Sequence, residues 1–145
     1  MPLYLVARIA GQSIAIPAEA VVSVIELGAV TPVPRAAPHI TGLCALRSRV
    51  LTVIDARVAL GFAPSVQETA LAVVVEVGGH GYALTMDGVD DVVEGPIPQP
   101  CAAALAPAWA AVTRGLVEFG TGAMLLVDPA ALIDGPAHAS VAELT

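Results

Sequence analysis

Lysine is absent from this chain, and aromatic residues are nearly so. The 145 residues contain six basic side chains, all arginine, against 13 acidic ones, for a formal charge of −7. Phosphate backbones are gripped by clustered Lys and Arg. Six scattered arginines on an acidic chain exclude nucleic acid and anionic membrane surfaces as main partners. With aromatics at 3%, the core has to be built from Val, Leu, Ile and Ala. There are only two cysteines, Cys44 and Cys101, far apart, which excludes a disulfide-dense scaffold and fits a reducing compartment. The N-terminus lacks the basic segment of a secretory signal, so the expected location is cytoplasmic. The longest uncharged run, Gly95 to Thr113, is interrupted by Pro96, Pro98, Pro100 and Pro107. Four prolines make a poor spanning helix. No direct membrane insertion is expected, and the run reads as a loop with a short helical patch.

What is abundant is small and β-prone. Hydrophobic residues make up 57% of the chain, with 13 glycines and 12 prolines. Many valines and frequent breakers point to a mainly β fold. Leu3 to Ile9 and Ile14 to Ile16 flank a Gly11-Gln12 turn. Val21 to Leu27 is a β-branched run, and Val30 to Pro38 is a proline-bearing segment unsuited to a central strand. Ile40 to Leu46 and Val50 to Ile54 flank the turn Arg47-Ser48-Arg49. Asp55 then opens a short helix as N-cap. Phe62 to Thr69 reads as a linker. Beyond it, Ala70 to Val77 and Tyr82 to Thr85 flank Gly78-Gly79, a hairpin signal. Val89 to Glu94, Ala110 to Phe119 and Ala123 to Val127 follow as further strands. Asp128-Pro129 opens a second short helix, and His138 to Thr145 reads as a weakly ordered tail.

The second half repeats the first. Ala15, Val21, Val24 and Glu26 meet Ala83, Val89, Val92 and Glu94, each 68 residues on. Gly42-Leu43 and Val53-Ile54-Asp55 meet Gly115-Leu116 and Leu126-Val127-Asp128, 73 residues on. The second proline loop is therefore five residues longer. Two copies of five strands and a short helix imply two five-stranded β-barrels, residues 1–67 and 68–145, with short helices after Ile54 and Val127. Each copy alone would be marginal in size, so the two should share an apolar interface, with a groove between them.

The segment from Gly42 to Arg57, GLCALRSRVLTVIDAR, resembles the central signature of CheW-like chemotaxis coupling proteins, roughly G-x-x-N-L-R-G-x-x-x-P-V-x-D-L-R. Asp87-Gly88-Val89-Asp90-Asp91-Val92 resembles the family's D-G-V-x-D-V, and Pro38-His39-Ile40-Thr41-Gly42 resembles its lead-in to the signature. The resemblance implies two intertwined SH3-like barrels and no catalysis. It implies an adaptor that binds the regulatory domain of a CheA-type histidine kinase and the cytoplasmic tip of a chemoreceptor, in the cytoplasm or at membrane-associated receptor arrays. The receptor-facing candidates are Arg47, Val21, Ser23, Ile40 and Leu43. The kinase-facing candidates are Met86, Val89, Val92 and Val93. Four positions depart from the pattern: Ala45 stands for Asn, Ser48 for Gly, Thr52 for Pro, and Ser23 for an acidic residue. They motivate a second reading, a regulatory or competitor paralogue of a non-flagellar pathway. A third reading is a small double-barrel ligand-binding protein.

Other chemistry finds little support in the residues. His39, His80 and His138 do not combine with the cysteines at zinc-ligand spacing. Gly78-Gly79-His80-Gly81 lacks the Lys-Ser/Thr of a phosphate loop. No serine sits in a nucleophile elbow. Asp55 and Asp128 read as caps rather than as an acid–base pair, and Asp87, Asp90 and Asp91 as a solvated turn. No catalytic residue, metal or cofactor is expected. Trp109 is either an anchor of the long loop or an exposed interface residue.

Overall fold

The computed structural model describes residues 1–64, 71–120 and 122–135. Ten strands lie in two sheets. In chain order they are β1 (Leu3–Ile9), β2 (Gln12–Pro17), β3 (Val21–Glu26), β4 (Ile40–Leu46), β5 (Arg49–Asp55), β6 (Leu71–Val77), β7 (His80–Met86), β8 (Gly88–Glu94), β9 (Thr113–Phe119) and β10 (Gly122–Val127). The helices are α1 (Ala56–Ala59), α2 (Pro107–Val112) and α3 (Pro129–Asp134). Sheet one runs β8-β1-β2-β10-β9 and sheet two β3-β6-β7-β5-β4.

The mainly β class with two five-stranded units is as expected, but the units are not the contiguous halves. Sheet one takes β1 and β2 from the first half and three strands from the second; sheet two takes the converse. The exchange follows from two parallel pairings, β10 on β2 and β5 on β7. The expected boundary between residues 67 and 68, most of the 62–69 linker and the 138–145 tail lie outside the described residues.

The two sheets obey the repeat down to register. Val53 pairs with Ala83 and the equivalent Leu126 with Ala15. Ile25 pairs with Ala72 and the equivalent Val93 with Tyr4. Thr31 bridges Leu43, as Gln99 bridges Leu116. The backbone N–H of Asp55 donates to the His39 carbonyl at 2.8 Å, and that of Asp128 to the Val112 carbonyl at 2.9 Å. The five extra residues therefore fall between Gln99 and Val112, where α2 forms. Here the expected strand from Ala110 is corrected: Ala110 to Val112 end a helix that opens with Pro107 at its first position. Proline there has its φ already set for a helix and no N–H to satisfy, and alanine has the highest helix propensity.

Neither sheet closes into the expected barrel. β8 and β9 stand at the edges of one, β3 and β4 at the edges of the other. The proline segments cap β4 and β9 through the single bridges at Thr31 and Gln99. Proline supplies no ladder donor, so these segments blunt an edge without extending the sheet.

The main core lies between the sheets. Leu5, Ile9, Ile14 and Ile16 of sheet one meet Ile54, Val73, Val75 and Leu84 of sheet two, with Ala56 and Ala59 of α1, Val112 of α2 and Leu132 of α3. Each fully buried aliphatic side chain contributes about 1.5–3 kcal/mol. Alternate residues fill the opposite face of each sheet: Cys44, Leu51, Val53, Ala72, Val74 and Ala83 in sheet two, and Tyr4, Ala15, Val117 and Leu126 in sheet one. β6 is thus buried on both faces, which explains its unbroken Leu71–Val75 apolar run.

Candidate functional site

The turn between β4 and β5 has two residues, Arg47 and Ser48, closing on the Leu46–Arg49 pair. Arg47 adopts a left-handed backbone with φ 58°, a conformation that costs a non-glycine residue about 1–2 kcal/mol. Its side chain is exposed, and among the described residues it makes no ion pair. The turn faces the edge strand β3 across an open groove of about 420 Å³. Val22, Ser23, Val24 and Ile25 line one side, Leu46, Arg47, Ser48 and Arg49 the other, with Leu51 and Val74 also in its wall. Val22 is 56% exposed and Val24 41%, high values for valines on a strand. Arg49 lies 3.5 Å from Glu76, both about half exposed, so that pair contributes little.

The five receptor-facing candidates divide. Arg47 and Ser23 come together in this groove. Leu43 is exposed in a separate hollow with Ala29, Thr31, Ala45 and Val50. Val21 and Ile40 are half-buried and pack against the main core. The kinase-facing set divides in the same way. Met86 is 4% exposed within the main core and cannot touch a partner. Val89 packs against that core, and Val93 is half-buried opposite Tyr4. Only Val92 is presented, 48% exposed on the edge strand β8 beside Asp90, Asp91 and Glu94.

Several polar residues work inside the fold. Asp55 caps α1 by accepting from the N–H groups of Arg57 and Val58, and Asp128 caps α3 by accepting from Ala130. Asp87 corrects the expectation of a solvated turn. Its carboxylate accepts from the Ala10 backbone N–H in the β1–β2 turn and from Arg57 at 2.9 Å, with side chains only 20% and 28% exposed. This one carboxylate ties sheet one to α1. At the neighbouring Gly88 a Cβ would collide with the guanidinium of Arg8, which reaches on to Asp90 at 3.4 Å. His39, isolated in sequence, is 2% exposed. Its Nε2 donates to the Ile133 carbonyl at 2.7 Å, since a carbonyl can only accept, and its Nδ1 has no partner among the described residues. The ring is packed under Gly135, so it latches α3 to the first proline loop. No local motif announces this role; its only trace is that His39 holds the place that Val112 holds in the other copy.

Trp109 is an anchor: it packs on the main core and against Phe62, ring centroids 6.5 Å apart. Burial raises the Cys44 thiol above its ordinary pKa, keeping it protonated. It raises Tyr4 as well. Among the described residues no group of three His, Cys, Asp or Glu could hold a metal ion. No helix there is long and apolar enough to cross a membrane.

The sequence matches the family model of the CheW-like domain over residues 3–137. The chain belongs to the CheW-like family. Its fold is similar to the crystal structure of the scaffolding protein TtCheW from Thermoanaerobacter tengcongensis, with a TM-score of 0.79 at 20% identity, covering 94% of this chain and 95% of that one. No curated protein matches the sequence significantly. The CheW-like signature can now be divided by role. Gly42, Asp55 and Arg57 hold backbone and helix in place, as does Asp87 in the second motif. Arg47 alone among these charged residues is turned outward into a groove.

Proposed function

We propose that this CheW-like chain is a non-catalytic chemosensory adaptor. In this reading it couples the cytoplasmic tip of a chemoreceptor to the regulatory domain of a CheA-type histidine kinase, in the cytoplasm at receptor arrays. The observation that carries it is the placing of Arg47 and Ser23 on one apolar groove: a signature arginine without a carboxylate partner among the described residues, framed by valines the fold leaves in solvent. Arg and apolar side chains in desolvated pockets are where interface energy concentrates. Val92 on β8, at the far copy of the same position as Val24, offers the second contact.

The test is co-purification and calorimetric titration of the full chain with the regulatory domain of a CheA-type kinase and a chemoreceptor tip from the same organism. Arg47→Ala should weaken one of these interactions by about 1–3 kcal/mol without lowering the melting temperature. Binding of neither domain by the parent chain would refute the adaptor role. The regulatory-paralogue reading is favoured by Ser23, where the family pattern has an acid. If it holds, Ser23→Glu together with Ala45→Asn should raise incorporation into arrays, and unchanged incorporation would remove it.

A further inference from the structure

We infer that His39 makes the last turn of α3 an acid-released latch, closed while the imidazole is neutral and let go when it takes up a proton. The inference stands apart from the adaptor reading. The ring is 2% exposed and uses one nitrogen, Nε2, on the Ile133 carbonyl at 2.7 Å. Nδ1 has no partner among the described residues. The neutral tautomer suits such a site, because Nδ1 is then an acceptor only. An imidazolium donates from both nitrogens, so protonation would bury a cation with an N–H that has nothing to donate to. Burying an unpaired charge is costly. Opening relieves it, since the ring meets water once the last turn of α3 lifts. The released form therefore binds one proton more than the latched form, and linkage favours release as the pH falls. Leu132 of α3 is part of the main core, so release uncovers apolar surface.

The charged side chains on the elements that meet here are engaged elsewhere or exposed. Asp55, whose N–H donates to the His39 carbonyl, accepts with its carboxylate from the N–H groups of Arg57 and Val58. Arg57 is paired with Asp87 at 2.9 Å. Asp128 accepts from the Ala130 N–H and lies 3.4 Å from Arg114. Asp134, at the end of α3, and Arg35, in the first proline loop, are exposed. α2 carries no charge. β7, which α3 also touches, has His80 and Tyr82 in its first half, away from Thr85, the residue paired with Asp55. None of these groups is within hydrogen-bond distance of Nδ1.

The repeat shows that the scaffold does not demand a titratable group at this place. In the other copy Val112 holds the position of His39, and Phe62 that of Gly135. Val112 is buried, and its carbonyl accepts from Asp128 as that of His39 does from Asp55. Phe62 packs on Trp109. The end of α1 is thus closed by apolar side chains, which do not titrate. At the end of α3 the valine and phenylalanine are exchanged for a histidine and a glycine, and the exchange is matched in shape. A Cβ at Gly135 would lie 2.5 Å from Cδ2 and Nε2 of His39 and 2.6 Å from Cε1, so only glycine leaves room for the ring.

The experiment measures amide-exchange protection factors by NMR in the full chain, corrected for the intrinsic pH dependence of exchange. A free imidazole titrates at about pH 6.5 and a free carboxylate at about pH 4, so the comparison is made between about pH 7.5 and about pH 5.5. Leu132 and Gly135, whose N–H groups donate to the Asp128 and Ala131 carbonyls, should lose about tenfold in protection on acidification, the effect of one proton taken up on release. Leu60 and Gly61, at the end of α1, should keep theirs. His39→Gln retains a side-chain donor for the Ile133 carbonyl and does not titrate, so its α3 protection should be the same at both pH values. That variant leaves His80 and His138 in place, and an acid response of α3 that survives in it would overturn the inference. The parent ring gives a second reading that needs no variant: its nitrogen-15 shifts should place the proton on Nε2 alone in latched molecules at both pH values. A doubly protonated ring with α3 still protected, unchanged protection in α3 of the parent chain, or an equal loss in α1 and α3 would overturn the inference as well.

Discussion

Replacing Gly42 with alanine should remove a large part of this protein's stability, through a contact between two backbones. Gly42 sits at φ 156°, and an added Cβ would lie 2.2 Å from the Thr31 carbonyl oxygen and 2.8 Å from its carbonyl carbon. Neither atom can rotate away as a side chain could. Relief requires the Thr31 segment to lift off β4 by about an ångström, since ordinary contact begins near 3.5 Å. That movement breaks two hydrogen bonds, Thr31 N–H to Leu43 carbonyl at 2.8 Å and Leu43 N–H to Thr31 carbonyl at 2.9 Å. At about 1 kcal/mol each, with about 1–3 kcal/mol for alanine at an unfavourable φ, the cost is about 3–5 kcal/mol. A domain of this size is stable by about 5–15 kcal/mol. The repeat supplies an internal comparison. At Gly115 the equivalent Cβ would lie 2.9 Å from the Gln99 carbonyl oxygen, so the displacement needed is about half that at Gly42 and the two bonds should stretch rather than break. Gly115→Ala should cost less than Gly42→Ala, about 1–2 kcal/mol. Urea unfolding followed by circular dichroism, with the slope unchanged, measures both. Amide exchange at Thr31 and Leu43 should accelerate only in Gly42→Ala. A cost below about 1 kcal/mol at Gly42, or equal costs at the two glycines, would refute the reasoning.

Four further outcomes follow from the same geometry. Asp87→Asn keeps an acceptor for the Ala10 N–H but removes the ion pair to Arg57, and should cost about 1.5–3 kcal/mol; a double-mutant cycle with Arg57→Met checks it, and a coupling below about 0.5 kcal/mol would reduce the pair to a surface contact. His39→Leu leaves the Ile133 carbonyl without its donor and should cost about 1–3 kcal/mol, with exchange accelerating first in α3. The Tyr4 hydroxyl, raised above its ordinary value by burial, holds its proton in the folded chain after the unfolded chain has lost it; stability from this group is complete below about pH 10 and declines above it, so the melting temperature should fall there less steeply in Tyr4→Phe. Cys44, buried and with its thiol pKa raised, should react with Ellman's reagent only on unfolding, whereas the half-buried Cys101 reacts in the native state; equal native rates would contradict the packing around Cys44.

The legible part of the fold is what local chemistry records. Strand runs, Asp55 and Asp128 as caps, and the repeat itself can be read from side-chain type and spacing. The exchange of β1 and β2 into the sheet of the other half cannot, because alternation tells which face of a strand is apolar and not which strand lies beside it. α2 falls within the short helical patch expected between Gly95 and Thr113, and only its end is misjudged, because Ala110 to Val112 are apolar enough to read as the start of β9. At the candidate site, the motif points to Arg47 and Ser23, and the fold places both on one groove. Val21, Ile40, Met86 and Val89 mislead because valine, isoleucine and methionine serve a core and an interface equally well, and only burial separates the two. Asp87 misleads in the opposite direction: an aspartate next to glycine is the ordinary composition of a solvated turn, and its partners Ala10 and Arg57 are remote in sequence.

The two copies also show where selection for shape ends and selection for a partner begins. Positions where backbone meets backbone or a helix begins carry the same chemistry in both: Gly42 and Gly115, Asp55 and Asp128, Ala15 and Ala83. Their roles are dictated by register, so any drift there is penalised through folding. The open ends of the sheets differ in kind. Ser23 stands for Asp91 and Arg47 for Gly120, on sheets of equivalent strand order. A difference in charge on an unchanged scaffold has no folding explanation, since none of Ser23, Arg47, Asp91 and Gly120 sits in a core. It has a binding explanation, because charge on a rim sets partner choice and encounter more than stability.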